Sequence, residues 1–384
     1  MSSELDRSVL EPLVVDREIV VCCGPGGVGK TTVAASLALE CALRGRRACV
    51  VTIDPARRLA NALGLSEVGD LPSKVDGDWP GELWALMLDT KSTFDALVTR
   101  YAATPEQADA ILQNRLYRNI SGVLSGTHEY MAMEKLYELH AQGRLSESGD
   151  HDPPPFDLVV VDTPPTRNAL DFVDAPRRLT RLLDNRIFRL LMVPTRAYLR
   201  AMSLASQAFL RTISKVVGAE VVSDVVAFFR AFEGMEEGFR QRAEEVHDLI
   251  TSGASAFVLV ASPARDAVRE AAYFADKLAE GGIPTSALVV NRVHPWFGDG
   301  AMESASEDDP RSAAGALAPF YANLAEFVDI AGREESHFAT LASRVAPAPV
   351  ARVPFLPADV HDLEGLRAVA DELFLRPGSR ALRA

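Results

Sequence analysis

One short segment constrains this chain more than any other, the glycine-rich run Gly24-Pro25-Gly26-Gly27-Val28-Gly29-Lys30-Thr31. It matches the phosphate-binding pattern G-x-x-x-x-G-K-S/T at every position, with an apolar strand-like run before it and a helical stretch after it. Glycines let successive backbone N–H groups turn inward around phosphate oxygens, and a helix N-terminus adds positive potential. The segment therefore predicts a nucleotide-binding loop made by Gly26, Gly27, Val28, Gly29, Lys30, Thr31 and Thr32.

Three side chains supply the polar chemistry of this predicted site. Lys30 can reach the β- and γ-phosphates of a nucleotide, and the Thr31 hydroxyl suits a Mg²⁺ ion. Asp162 ends the apolar run that begins at Phe156 and suits a water molecule bound to the same ion. We therefore predict ATP and Mg²⁺ as cofactors, with Thr31 as a direct metal ligand and Asp162 as a ligand through water.

The same glycines allow a second interpretation from another functional class. Gly24, Gly26 and Gly29 also fit G-x-G-x-x-G, and Asp54 follows the second apolar run, where a dinucleotide-binding fold holds its ribose. That fingerprint has no role for Lys30 and the threonines after it, and no hydride-transfer group stands out. The phosphate loop is favoured, and a dinucleotide-binding oxidoreductase is the alternative.

Apolar runs recur along the chain with helical segments between them. Most are rich in valine and continuously apolar, as expected of strands buried on both faces. Strands separated by helical crossovers predict an α/β fold with a doubly wound, mainly parallel sheet. The predicted strands are Ile19–Cys23, Ala48–Ile53, Leu83–Leu88, Leu158–Val161, Phe257–Ala261 and Ala287–Val290.

Two long stretches, residues 91 to about 145 and 176 to about 250, contain no convincing strand and are predicted to be helical. We expect a single P-loop ATPase domain over residues 1–384, with these two insertions forming a helical subdomain. Two apolar stripes at helical spacing occur in the second insertion. A packed core and an adaptable apolar surface both fit such stripes. The stripes are Leu199, Met202, Ala205, Phe209, Ile213 and Val216, then Val225, Phe228, Phe232, Met235 and Phe239.

Composition and charge exclude several classes of function. A net charge of −13 argues against non-specific binding to nucleic acid. No run reaches the roughly 18 to 20 apolar residues of a membrane span, so stable membrane insertion is not expected. Met1–Asp16 lacks the pattern of a secretory signal, and we expect a cytoplasmic protein. The four cysteines (Cys22, Cys23, Cys41 and Cys49) are predicted to be reduced core residues.

With these motifs in view, the chain resembles the ArsA/Get3 family of SIMIBI P-loop ATPases, in particular its actinobacterial type. Gly24–Thr32 resembles the family's Walker A loop, Thr52–Ala56 its switch I and Asp162–Thr166 its switch II. The resemblance implies ATP hydrolysis, with Lys30 and Asp54 as catalytic residues and Asp54 orienting the attacking water. From the residues alone, Asp54 before a proline is equally an ordinary helix N-cap.

The resemblance also implies a binding site for the adenine base. Asn291 follows a predicted strand at the position where the family recognises adenine, and Val353-Pro354-Phe355 resembles the later loop beside the base. Asn291 and Pro354 are therefore nucleotide-binding candidates. Asn is also common where a strand simply turns, so that interpretation stays open for Asn291.

The chain departs from the family pattern at two points. The family's signature lysine, which reaches the partner's nucleotide in the dimer, is replaced by Pro25, and proline has neither charge nor N–H. We therefore expect either a homodimer in which Arg57 or Arg58 substitutes, or a heterodimer with a related P-loop ATPase. No cysteine follows Cys49, so neither the zinc site nor the arsenite site of the family can be carried over, and an arsenite pump is not favoured.

The resemblance further implies nucleotide-dependent dimer closure and an apolar helical surface for client or membrane proteins with apolar helices. Two alternatives stay open. One is a MinD/ParA-like positioning ATPase, although the short helical pattern of Gly365–Ala384 would anchor weakly at a membrane. The other is a weakly catalytic, ATP-dependent scaffold.

Overall fold

A computed structural model describes residues 8–53, 58–65, 68–120, 127–145, 156–164, 180–181, 219–295 and 318–374. The chain forms two compact units. The first unit contains Met1–Met87, Leu139–Leu170 and Gly253–Ala384. The second contains Leu88–Glu138 and Asp171–Ser252. The interpretation of the second unit as an inserted subdomain of one ATPase domain stays a prediction.

The first unit is built on a sheet in which the described strands follow the order β3-β4-β2-β5-β1-β6-β7-β8. All neighbouring pairs are parallel except β3 with β4. The sheet is therefore mainly parallel, and its central strand β1 leads directly into the glycine-rich loop. The strands are β1 (Ile19–Cys23), β2 (Arg47–Thr52), β3 (Ser73–Val75), β4 (Glu82–Met87), β5 (Leu158–Asp162), β6 (Ser255–Ala261), β7 (Thr285–Val293) and β8 (Val350–Pro354).

Helices cover the sheet because its inner strands have no polar face. Every residue of β1 and β5 is buried. Helix α2 packs beside them through small side chains, and the Ser36 hydroxyl donates a 3.0 Å hydrogen bond to the Leu366 carbonyl. The described helices of this unit are α1 (Glu11–Val15), α2 (Lys30–Leu43), α3 (Arg58–Ala62), α10 (Arg265–Glu280), α11 (Ala318–Val345) and α12 (Leu363–Phe374).

The second unit is helical throughout its described part. Its helices are α4 (Thr90–Tyr101), α5 (Pro105–Leu112), α6 (Arg115–Ile120), α8 (Ala219–Ala231) and α9 (Glu236–Thr251); the division between the units falls within α7 (Thr127–Leu145). An aromatic core holds these helices together. Phe228, Phe232, Met235 and Phe239 are all at most 9% exposed and belong to this core.

The burial of these four residues decides between the two interpretations of their stripe. Their side chains pack against Phe94, Tyr101 and Tyr117. The stripe from Val225 to Phe239 is therefore core, and it does not provide an apolar surface. The other stripe, Leu199–Val216, lies outside the described residues.

The six predicted strands are confirmed, with ends that differ by at most three residues. Two strands were not predicted. The strand β3 has only three residues and pairs antiparallel at an edge, and β8 alternates half-buried and buried positions where a continuous apolar run was the criterion. All four cysteines are buried, as predicted. Among the described helices, none combines the length and apolar content of a membrane span.

Candidate nucleotide-binding site

The glycine-rich loop takes its shape from backbone conformations that favour glycine. Gly24 has φ +143°, and a Cβ there would lie 2.1 Å from the Val260 carbonyl oxygen of β6. Gly29 has φ +94° and is the N-cap of α2, so the helix N-terminus opens at the loop. The buried Lys30 Nζ donates a 2.8 Å hydrogen bond to the Pro25 carbonyl oxygen. A helix N-terminus and a lysine thus lie together at the loop, as in sites that bind anions.

The acid Asp162 lies next to Thr31 at the carboxyl edge of the sheet. Strand β5 runs between β1 and β2, with Asp162 in register with Cys22 and Thr52. The Thr31 hydroxyl donates a 2.6 Å hydrogen bond to Asp162 Oδ2, and the Thr52 hydroxyl donates a second one at 3.1 Å. A hydroxyl and a carboxylate placed together beside a phosphate loop are the oxygen ligands that Mg²⁺ prefers. The residues present therefore fit the metal that the sequence predicts.

Asn291 supports the loop from the end of β7. Its side-chain Nδ2 donates a 2.8 Å hydrogen bond to the Val28 carbonyl oxygen, and its Oδ1 accepts one of 3.0 Å from the Arg292 N–H. Gly29 passes so close that a Cβ there would lie 2.2 Å from Asn291 Nδ2. The buried amide of Asn291 is thus part of the scaffold of the loop. Its predicted contact with adenine stays a prediction.

Arg292 has a backbone conformation that is rare for its residue type. Its φ is +60°, in the left-handed region that costs a non-glycine residue about 1 to 2 kcal/mol. The cause is a bulge in the pairing of β7 with β8. Asn291 is in register with Val353 and Val293 with Pro354, so Arg292 is the additional residue between the two pairs. The same pairing places Val353 opposite Asn291 and Pro354 opposite Val293, and the role of Pro354 in binding the base stays a prediction.

These elements surround a pocket of about 480 Å³. The guanidinium of Arg292 lies at its margin, where Nη1 donates a 3.3 Å hydrogen bond to the Gly27 carbonyl oxygen. The pocket is lined by Gly27, Gly29, Lys30, Thr31, Thr32, Asn61, Ala62, Thr163, Arg292, Val360 and His361. Three polar residues of this lining were not predicted as site residues from the sequence: Asn61, Arg292 and His361. The only available signal for Arg292 was its place directly after Asn291.

The two cysteines before the loop contribute packing and no reactivity. Burial raises the pKa of the Cys23 thiol to about 12, against a smaller lowering by Lys30. Burial, with the nearby charge of Asp162, also raises the pKa of Cys22. Both thiols are therefore protonated at neutral pH, and a thiol is a poor nucleophile and a poor metal ligand compared with a thiolate.

Several predicted residues lie outside the described part of the chain. They are Asp54, Arg57, the residues Pro55-Ala56 that end the segment resembling switch I, and the residues Pro165-Thr166 that end the segment resembling switch II. Arg58 begins α3. Among the described residues, the structure brings Lys30, Thr31 and Asp162 together at the carboxyl ends of the inner strands β1 and β5. A phosphate loop after the central strand, with an acid on the adjacent strand, defines the chain as an α/β protein of the P-loop NTPase class.

Comparison with known proteins places the chain within this class. The family model for anion-transporting ATPases matches residues 17–302. The chain is 28% identical to ATPase GET3 of Kluyveromyces lactis over 167 residues, which is 42% of this chain and 46% of the yeast protein. It is 31% identical to an uncharacterised protein of Streptomyces coelicolor over 276 residues, 71% of this chain and 61% of that protein. It is 27% identical to ATPase GET3B of Arabidopsis thaliana over 298 residues, 73% and 65% of the two chains.

The match to the family model covers most of the chain, which therefore belongs to the anion-transporting ATPase family, the family of the ArsA/Get3-like ATPases. The alignments span about half to two thirds of the length of these three relatives.

Proposed function

We propose that this protein binds Mg·ATP in the pocket beside Lys30 and hydrolyses it to ADP and phosphate. The observation that supports this most directly is the 2.6 Å hydrogen bond between the Thr31 hydroxyl and Asp162 Oδ2 at the N-terminus of α2. It joins the phosphate loop to the acid of the neighbouring strand, and both are oxygen donors suited to Mg²⁺. A bound Mg²⁺ would neutralise charge on the β- and γ-phosphates.

The residues of the chain would each have one task in this reaction. The N–H groups of the loop and Lys30 would hold the phosphate oxygens, and Asn291 would keep the loop in shape through Val28. Asp54, by resemblance, would orient a water molecule for in-line attack on the γ-phosphorus. As the new P–O bond forms, the bond from the γ-phosphorus to the bridging oxygen breaks and ADP leaves.

Binding and turnover of the purified chain test this proposal separately. ATP affinity is measured by calorimetry with Mg²⁺ and with EDTA, and turnover by phosphate release. Lys30→Ala is expected to weaken ATP binding about 10- to 100-fold, because a charge-assisted contact to phosphate is lost. Lys277→Ala is the matched control, because this surface lysine of α10 pairs with Glu280 outside the pocket. A wild-type chain that does not bind ATP contradicts the proposal.

Asp54→Asn tests the catalytic role that comes from the family resemblance. The variant keeps the size of the side chain and removes its charge. It is expected to bind ATP as tightly as the wild type and to release phosphate at least about 100-fold more slowly. Unchanged turnover would remove Asp54 from the catalytic residues while leaving the nucleotide site intact.

We propose further that two subunits close on the bound nucleotide and that the partner is a related P-loop ATPase. Pro25 supports the heteromeric form, because its side chain carries no charge to the second subunit's nucleotide. Two experiments test this. Sedimentation of the Asp54→Asn variant with ATP measures the oligomeric state, and the turnover of Pro25→Lys is compared with that of the wild type. If the chain alone dimerises and turns over as fast as Pro25→Lys, the protein works as a homodimer.

We also propose that the nucleotide cycle is coupled to the handling of client proteins with apolar helices. The stripe from Val225 to Phe239 gives no support, because its four large side chains are buried in the core of the second unit. Support comes from the family relationship to proteins named ATPase GET3. A tagged Asp54→Asn chain loaded with Mg·ATP, with Lys30→Ala as control, is used to isolate bound proteins from the cytoplasm. Recovery of the bait alone with both variants contradicts client handling.

A further inference from the structure

Arg292 brings its guanidinium to the phosphate loop, although the residue is not part of the loop motif. Its Nη1 lies 3.3 Å from the Gly27 carbonyl oxygen, and the residue lines the same pocket as Lys30 and Thr31. Lys30 is buried, whereas Arg292 is exposed. The described lining of the pocket thus includes a buried lysine and an exposed arginine.

The backbone around Arg292 is arranged to keep the side chain in this place. The bulge between β7 and β8 gives the residue its φ of +60°, and its N–H donates a 3.0 Å hydrogen bond to Asn291 Oδ1. The other end of the same amide donates to the Val28 carbonyl oxygen in the loop. Left-handed non-glycine residues persist where the surrounding structure determines them, and they cluster at ligand-binding sites.

The contact of Arg292 with Gly27 is better suited to being exchanged for a contact with phosphate than to supporting the loop. A 3.3 Å hydrogen bond from an exposed guanidinium to a neutral carbonyl is long, and charge-assisted contacts to phosphate are shorter and stronger. A guanidinium carries five N–H donors in a planar fork that matches phosphate oxygens. Pro25, on the same loop, adds no side-chain charge.

We propose that Arg292 is a nucleotide-binding residue that donates hydrogen bonds from its guanidinium to the phosphate chain of the nucleotide in its own subunit. The inference rests on the proposed nucleotide site and adds a phosphate ligand from β7 to it. The bulge places a second positive charge at the loop from within the same subunit.

Two substitutions separate the charge of Arg292 from its backbone conformation. Arg292→Gly removes the guanidinium and adopts φ +60° without strain, so the bulge is expected to remain. Arg292→Lys keeps a positive charge. Affinities for ATP, ADP, AMP and adenosine are measured by calorimetry with Mg²⁺, and thermal unfolding without nucleotide checks the fold. Arg269→Ala is the matched control, because this exposed arginine of α10 pairs with Asp266 outside the pocket.

Arg292→Gly is expected to raise the Kd for ATP and ADP about 10- to 100-fold, as for loss of a charge-assisted hydrogen bond. The Kd for adenosine should stay unchanged, Arg292→Lys should recover part of the loss, and Arg269→Ala should match the wild type. Equal ATP affinity of Arg292→Gly and the wild type overturns the inference. So does an equal loss for adenosine and ATP, which would indicate a role in shaping the base site. A wild-type chain that binds no ATP is a different outcome and contradicts the proposed function.

Discussion

The hydroxyl of Thr31 and the carboxylate of Asp162 are 131 residues apart in sequence, yet they share a 2.6 Å hydrogen bond at the carboxyl edge of the sheet. The contact follows from the strand order, because β5 pairs directly with β1 and ends beside the loop. A side-chain pair of this kind can test the metal site independently of the phosphate contacts.

Thr31→Ala is expected to remove most of the advantage that Mg²⁺ gives to ATP binding. The variant lacks the hydroxyl oxygen but keeps Lys30 and the loop backbone, so binding in EDTA should change little. We expect the ratio of ATP affinities with and without Mg²⁺ to fall about tenfold or more, as for loss of one polar contact to a charged group. Thr31→Ser keeps the hydroxyl and serves as the control. An unchanged ratio in Thr31→Ala would exclude Thr31 as a metal ligand.

A pair of glycines with similar backbone angles tests the scaffold of the loop. Gly29 (φ +94°) and Gly45 (φ +84°) both disfavour alanine, by about 1 to 2 kcal/mol of unfolding free energy. At Gly45 an added Cβ meets no atom within 4 Å, whereas at Gly29 it would lie 2.2 Å from Asn291 Nδ2. That amide is buried and bonded to Val28, so it must break its hydrogen bond to move.

We therefore expect Gly29→Ala to lose about 1 to 3 kcal/mol more stability than Gly45→Ala, through the steric conflict and the broken hydrogen bond. Urea unfolding gives the two free energies, and calorimetry should show weaker ATP binding for Gly29→Ala alone. Equal losses of stability in the two variants would mean that Asn291 does not brace the loop.

The aromatic core of the second unit gives a prediction about stability, which also tests whether its apolar stripe is core. Phe239 is 1% exposed, with ring centroids 5.1 Å from Phe232 and 5.2 Å from Tyr101. Phe239→Ala should destabilise this unit by about 3 to 5 kcal/mol, as for other large-to-small core substitutions. Phe320→Ala on α11, where the ring is 71% exposed, should change stability by less than about 0.5 kcal/mol.

Hydrogen exchange localises the effect, with faster exchange expected in α4 and α9 of the Phe239 variant. A Phe239→Ala chain as stable as the wild type would contradict the assignment of this stripe to the core.

The nucleotide loop and most of the sheet were predictable because they depend on contiguous residues. Ile19–Cys23 is continuously apolar, and the loop motif follows it without a gap, so local sequence determines both. The backbone conformation of Arg292 was not predictable in the same way. Its left-handed backbone arises from the offset pairing of β7 with β8. The strand β8 was itself not predicted, because its positions alternate between half-buried and buried and do not form a continuous apolar run. Burial of the stripe at Phe228–Phe239 also depends on distant partners in α4 and α6.

A buried carboxylate in the second unit makes its stability depend on pH. Glu134 is 2% exposed, and its Oε1 accepts a 2.9 Å hydrogen bond from Arg242 Nε. Burial raises the pKa of Glu134 to about 7, although the positive charges of Arg242 and Arg100 oppose the rise. In the unfolded chain the carboxyl releases its proton near its ordinary pKa of about 4.3.

Between these two pKa values the folded state holds more protons than the unfolded state, so stability falls as pH rises. The stabilising contribution of the protonated carboxyl is complete below about pH 4 and is lost as pH passes through about 7. Glu134→Gln stays neutral and lacks this dependence. Relative to that variant, the wild type should lose about 1 to 3 kcal/mol of unfolding free energy between pH 5 and pH 7.5. Urea unfolding at both pH values measures the difference, with Glu237→Gln, at a 79% exposed side chain, as the control. If wild type and Glu134→Gln differ equally at the two pH values, Glu134 does not titrate in this range.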